Sequence, residues 1–154
     1  MNNKFMKRAI ELSIKSVHSG TGPFGAVIVN DNKIISEGFN KVTSSNDPTS
    51  HAEIVSIRTA CNELGKFSLE GYDLYTTCEP CPMCLSAIYW ARISNIYYAN
   101  TRSDAQKIDF SDAMIYEELN KNIKDRKIPM HQMMRDEALK AFELWEQKED
   151  KVKY

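Results

Sequence analysis

Phe5, Met6, Ala9, Ile10, Leu12, Ser13 and Val17 recur at helical spacing and predict a helix over residues 4–18. Gly20, Gly22 and Pro23 break it. Two β-rich runs follow, residues 26–29 and 34–39, and Asn30, Asp31 and Asn32 between them predict a hairpin. Residues 43–48 read as a polar loop. A second helix is predicted from Ser50 or His51, with Ile54, Ile57, Cys61 and Leu64 on its buried face and Gly65 ending it. Further on come a strand at 74–76, a helix at 82–92 and a strand at 96–99. The pattern then changes to a polar loop over 104–112, a short helix over 114–119 and a solvated loop over 120–127. A charged helix over 135–147 carries Ala138, Leu139, Phe142 and Trp145 on one face. Alternation of helices and strands predicts an α/β fold in which helices cover a sheet.

The 154 residues suit one domain with an appended C-terminal segment, and 42% hydrophobic residues are enough to build a core. The formal charge of −1 argues against nucleic-acid binding driven by bulk electrostatics. No apolar stretch reaches the length of a membrane span, and the N-terminus has no signal-peptide pattern, so a cytoplasmic protein is expected. Four cysteines in that compartment suggest metal binding or catalysis before disulfides, and three of them fall within seven residues, at 78, 81 and 84.

The candidate chemistry centres on His51-Ala52-Glu53 and on Pro80-Cys81-Pro82-Met83-Cys84. Two cysteines three apart at a helix start place both sulfurs on one side of its first turn, where the helix dipole favours thiolates. Pro80 and Pro82 suit that entry, since a first turn leaves N–H groups unpaired anyway. One imidazole and two thiolates make a zinc set with a fourth position open for water, whose pKa zinc lowers. Glu53, two residues from His51, points elsewhere on its helix and is the candidate proton carrier.

Each residue also has a plainer reading. Ser50 and Glu53 fit a capping box. Cys78 could complete a structural Cys₃His site, and Cys81 with Cys84 fits a redox pair. Cys61 reads as core packing, Cys78 as structural, and His18 and His131 as surface residues.

Taken together, His-x-Glu followed about thirty residues later by Pro-Cys-x-x-Cys resembles the signature of zinc nucleobase deaminases. The stretches Gly22–Val29, Asp47–Glu53, Cys78–Cys84 and Ala87–Arg92 resemble the cytidine-deaminase-fold superfamily, tRNA adenosine deaminases included. Asp109–Asp112, Ile115–Glu118, Ile128-Pro129 and the final Tyr154 resemble the bacterial guanine deaminases more narrowly.

The resemblance implies a three-layer α/β/α fold with a mixed sheet and a C-terminal helical segment. It implies His51, Cys81 and Cys84 as ligands of one Zn²⁺ per subunit and Glu53 as the proton shuttle. Asn40 corresponds to a position that hydrogen-bonds the base, Phe24 and Trp90 to positions lining the pocket, and Tyr154 to a tyrosine closing over it. Asp112 corresponds to an acid that contacts the substrate and takes part in proton transfer. Residues 112–154 would form part of a single domain spanning 1–154 and pack on, or exchange with, a partner in a homodimer. Ser111 departs from the pattern, standing where an acid is common.

The expected reaction is hydrolysis of guanine, a small purine base, to xanthine and ammonia. Guanosine deamination and tRNA adenosine deamination are the alternatives, and a structural zinc module is the non-enzymatic one. Residues 135–154 carry five basic and six acidic side chains, which argues against an RNA contact.

Overall fold

The computed structural model describes residues 3–154. Its four strands are β1 (Gly25–Asn30), β2 (Lys33–Phe39), β3 (Asp73–Cys78) and β4 (Asn95–Asn100). They form one mixed sheet in the order β2-β1-β3-β4. β1 pairs antiparallel with β2 and with β3, whereas β3 and β4 are parallel. Hairpin and crossover follow from this: Asp31 and Asn32 both take positive φ in the tight turn between β1 and β2, and a helix joins the parallel pair.

Strand alternation sorts the core into two faces. Val27, Val29 and Tyr75 point to one side and meet Phe5 and Leu12 of α1 (Asn3–His18). Ala26, Ile28 and Leu74 point to the other. There they meet Ala52, Ile57 and Ala60 of α3 (Ala52–Leu64), and Ile88 of α4 (Pro82–Trp90). Helices therefore cover both faces, giving the expected three layers.

Two glycines set how closely those helices approach. A Cβ on Gly25 would lie 2.3 Å from the Ala9 carbonyl oxygen of α1, and one on Gly38 would lie 2.3 Å from the Ala52 oxygen of α3. Backbone cannot yield as a flexible side chain does. Gly38→Ala is therefore expected to destabilise the protein by about 3 kcal/mol, the upper end of overpacking costs. Urea unfolding checks this, and an unchanged midpoint would show that α3 can lift from the sheet without loss.

Several local expectations are corrected. The buried stripe of α1 is Phe5, Ala9, Leu12 and Ser16, while Ile10 and Val17 are exposed, so the helix is rotated from the predicted face. Residues 43–48 overlap a short helix, α2 (Val42–Ser45), ended by Asn46 in the left-handed region. Residues 104–112 overlap α5 (Arg102–Gln106), which starts with a reciprocal capping box between Thr101 and Asp104. Gly65 caps α3 as predicted, at φ 62°, but Leu64 beside it is exposed.

The chain divides into two units, Met1–Asp112 and Ala113–Tyr154. The second holds α6 (Ala113–Asn120), a 3₁₀ turn (Ile123–Asp125) and α7 (Arg135–Gln147). Phe142, Leu144 and Trp145 of α7 are exposed.

Candidate active site

The carboxyl ends of β2, β3 and β4 all lie at one edge of the sheet, where open α/β sheets commonly bind ligands. Two helices begin there. His51 is the N-cap of α3 and Cys81 the N-cap of α4, both with extended backbone and neither capping through its side chain. Pro82 opens α4 at a position where no N–H is needed.

The approach to His51 is held by Asp47. Its Oδ1 accepts from the Thr49 N–H at 2.8 Å and hydroxyl at 2.7 Å, and its Oδ2 accepts from the Ser50 hydroxyl at 2.6 Å. These donors hold the Asp47 carboxyl well below the usual carboxylate range, the Ser50 hydroxyl foremost. Ser50 is thereby committed to Asp47, so the Ser50–Glu53 capping box suggested by the sequence does not form.

His51 Nδ1 lies 3.6 Å from Cys81 Sγ and 3.5 Å from Cys84 Sγ, and the three ligand atoms all fall within 4.8 Å of one another. Zinc bonds of about 2.05 Å to nitrogen and 2.3 Å to sulfur, opened to a tetrahedral angle, put nitrogen and sulfur about 3.6 Å apart. The observed spacing fits one such ion. The Cys84 thiol and the His51 ring hold Cys81 down to about 4, so it is a thiolate at neutral pH, and Cys81 in turn raises the imidazole pKa. Hydrogen bonding to Cys81, then burial, pushes the Cys84 thiol up, so its proton is the one a metal must displace.

Cys78 is no fourth ligand among the described residues. It lies on β3, its thiol turned to the Thr101 carbonyl at 3.6 Å, and burial pushes its pKa up to about 11. The donor set is thus a three-residue one.

Glu53, 6% exposed in the first turn of α3, lies beside this cluster with Oε2 3.5 Å from Cys84 Sγ. Burial raises its carboxyl pKa. A carboxyl group shifted in this direction can hold as well as accept a proton.

Of the other expected site residues, Asn40 and Phe24 sit together at this edge. Asn40 is 5% exposed; its N–H donates to the Phe24 carbonyl, and its Oδ1 accepts from the Val42 N–H at 3.1 Å. What its side chain can offer a ligand is therefore the Nδ2 donor. Ser16 fixes the backbone around it. Its hydroxyl lies 2.6 Å from the Thr21 hydroxyl, within hydrogen-bond distance, and donates to the Gly22 carbonyl at 2.6 Å. Phe24 is half-buried and stands edge-on to Phe110, ring centroids 5.1 Å apart.

Asp112 is half-buried, and burial foremost, with the charge of Cys81 behind it, raises its carboxyl pKa. Trp90 lies further along α4. It ends α4, eight residues past Pro82 and so about 12 Å along the axis, and is 67% exposed. It joins neither the core nor the metal cluster of its own unit. Tyr154 belongs to the second unit and is 73% exposed.

Residues 1–100 match the family described as the cytidine and deoxycytidylate deaminase zinc-binding region. The fold and the His/Cys/Cys cluster with its adjacent carboxylate define a zinc-dependent deaminase, and the chain belongs to this family. Within it, the chain is 49% identical over its full length, and that of the relative, to the guanine deaminase of Bacillus subtilis (strain 168). The crystal structure of guanine deaminase from Bacillus subtilis superimposes with a TM-score of 0.96 at 49% identity, covering 100% of this chain and 99% of that one. A tRNA-specific adenosine deaminase of Agrobacterium fabrum is 45% identical over 61% of this chain and 62% of its own.

Proposed function

We propose that this deaminase hydrolyses guanine to xanthine and ammonia, with zinc as its cofactor. The observation that carries the substrate is the continuity of the match beyond the zinc region, through residues 101–154, at full coverage of a guanine deaminase. That segment contains Asp112 and Tyr154. Its acid-rich terminal helix offers no surface for a phosphate backbone, which weighs against a tRNA substrate.

His51, Cys81 and Cys84 would hold the metal, which supplies a water acidic enough to act as nucleophile near neutral pH. The reaction adds water at C2 of the purine and expels the amine from that carbon. Glu53 takes a proton from the water and delivers it to a ring nitrogen, then takes the proton of the hydroxyl added at C2 and delivers it to the departing amine, which leaves as ammonia. Burial raises its pKa and so lets the carboxyl group return what it takes. Asn40 Nδ2 donates to an acceptor on the base. Asp112 accepts from N1–H and the exocyclic amine, both donors on guanine. Phe24 supplies an apolar wall for the flat ring.

The protein would act as a homodimer, with residues 112–154 packed on the partner and Tyr154 closing the site. Supporting this, α7 leaves the large apolar side chains Phe142, Leu144 and Trp145 exposed within the single chain, where a partner surface would cover them. Among the described residues no helix is long and apolar enough to cross a membrane.

Deleting Tyr154 tests the closing role. The truncated enzyme is expected to keep its zinc and melting temperature while kcat/KM for guanine falls about tenfold, the loss of one good aromatic contact. Unchanged kcat/KM would remove Tyr154 from the site. Guanosine is the substrate that competes with this reading, and it should gain rather than lose turnover when the tail is shortened.

A further inference from the structure

The strand beneath Glu53 carries a hydroxyl that the sequence gives no reason to single out. Thr76 lies in the middle of β3, paired with Ala26 on one side and Tyr98 on the other. It shares its face with Leu74 and Cys78, the face covered by α3 and α4. It is 1% exposed, and its hydroxyl donates to Glu53 Oε1 at 3.2 Å. A buried hydroxyl needs a partner, and a carboxylate is the strongest acceptor it can find.

The two carboxylate oxygens are thereby made unequal. Oε1 is held against the sheet by Thr76, and Oε2 faces the Cys84 sulfur and the ligand cluster. Glu53 reaches this point from the first turn of α3, so its carboxylate could rotate about its last torsion without the hydroxyl. We propose that Thr76 is a positioning residue for the deamination: its hydroxyl fixes the Glu53 carboxylate so that Oε2 stays turned toward the reacting atoms. This rests on the assignment of Glu53 as proton shuttle.

Thr76→Val keeps the shape and β-branching and removes only the donor. Its kcat is expected to fall about tenfold, the worth of a hydrogen bond to a charged group, with KM and zinc content unchanged. Thr76→Ser should restore most of the loss. A role in packing alone would give the opposite ranking, with Val active and Ser impaired. Where Val fails to fold, Ser and Ala form the second pair: both lack the methyl, and only Ser retains the donor.

Stability gives a readout independent of turnover. The cost of Thr76→Val to the melting temperature of zinc-free protein should vanish or change sign in a Glu53→Ala background, where no carboxylate remains to be left unpaired. Glu53→Gln is assayed alongside. If it keeps turnover, the shuttle assignment itself fails. If it is inactive while Thr76→Val has wild-type kcat, the shuttle stands and the role of Thr76 is overturned. Equal impairment of Ser and Ala would overturn it as well.

Discussion

Glu53→Gln is expected to lower guanine turnover by about three orders of magnitude while leaving zinc content and fold intact. The size of the loss follows from what the group is asked to do. One carboxylate carries a proton from the water to the ring and a second from the added hydroxyl to the amine, and the amide that replaces it can carry neither. The structure also predicts what should not happen. Glu53 is nearly fully buried and its charged form is penalised there, so an amide of the same shape relieves a desolvation cost. The variant should therefore melt no lower than the parent. A merely structural Glu53, holding the start of α3, would give the reverse: retained activity and a lower melting temperature. The Ser50 hydroxyl already argues against that role, since it bonds Asp47 and takes no part in a box with Glu53.

Cys84→Ser should abolish both activity and zinc binding. Cys84 lies in the first turn of α4 and is fully buried, so a lost ligand cannot be replaced by solvent or a neighbouring side chain without opening the site. An ion that binds only the folded chain, at free zinc a thousandfold above its Kd, stabilises by about 4 kcal/mol, or roughly 10 °C for a chain of this size. A chelator should lower the parent's melting temperature by about that much and leave Cys84→Ser unmoved. The affinity should weaken as pH falls, because the thiol protons must leave before the metal binds. Zinc-edge absorption on the parent should count two sulfurs. A third would bring Cys78 into the ligand set and turn the centre into a structural one.

The metal cluster and the architecture were legible in the sequence for one reason: both depend on short, strict spacings. Cys81 and Cys84 share a helix turn whatever the rest of the fold does, and proline on either side of Cys81 marks the entry to that turn. Gly65 announced the end of α3, and the Asp31 and Asn32 turn announced the hairpin, because few residues adopt left-handed backbone cheaply.

Contacts between distant segments were less legible. Thr76 looks like any strand residue in Asp73–Cys78, and only the pairing of β3 beneath α3 puts its hydroxyl against Glu53. The Asp47 turn reads as polar loop, though its Asp-x-Thr-Ser order holds the signal for side-chain bonds to backbone and hydroxyls. The Thr101–Asp104 box is hidden in a polar stretch, because its helix is only five residues long and lacks an apolar period to reveal it. On α1 the apolar residues outnumber the positions the sheet can cover, so the period alone left Ile10 and Val17 on the wrong side of the boundary.

The central claim is that this zinc site acts on a free purine base carrying an amine at C2. The direct test is ammonia release by the zinc-loaded protein from guanine, guanosine, adenine, cytosine, cytidine and an adenosine-containing tRNA anticodon stem, with Glu53→Gln as the blank. Release from guanine above all the others is the predicted result. Release from guanosine or the tRNA stem with guanine untouched, or release from guanine that survives in the Glu53→Gln blank, would contradict it.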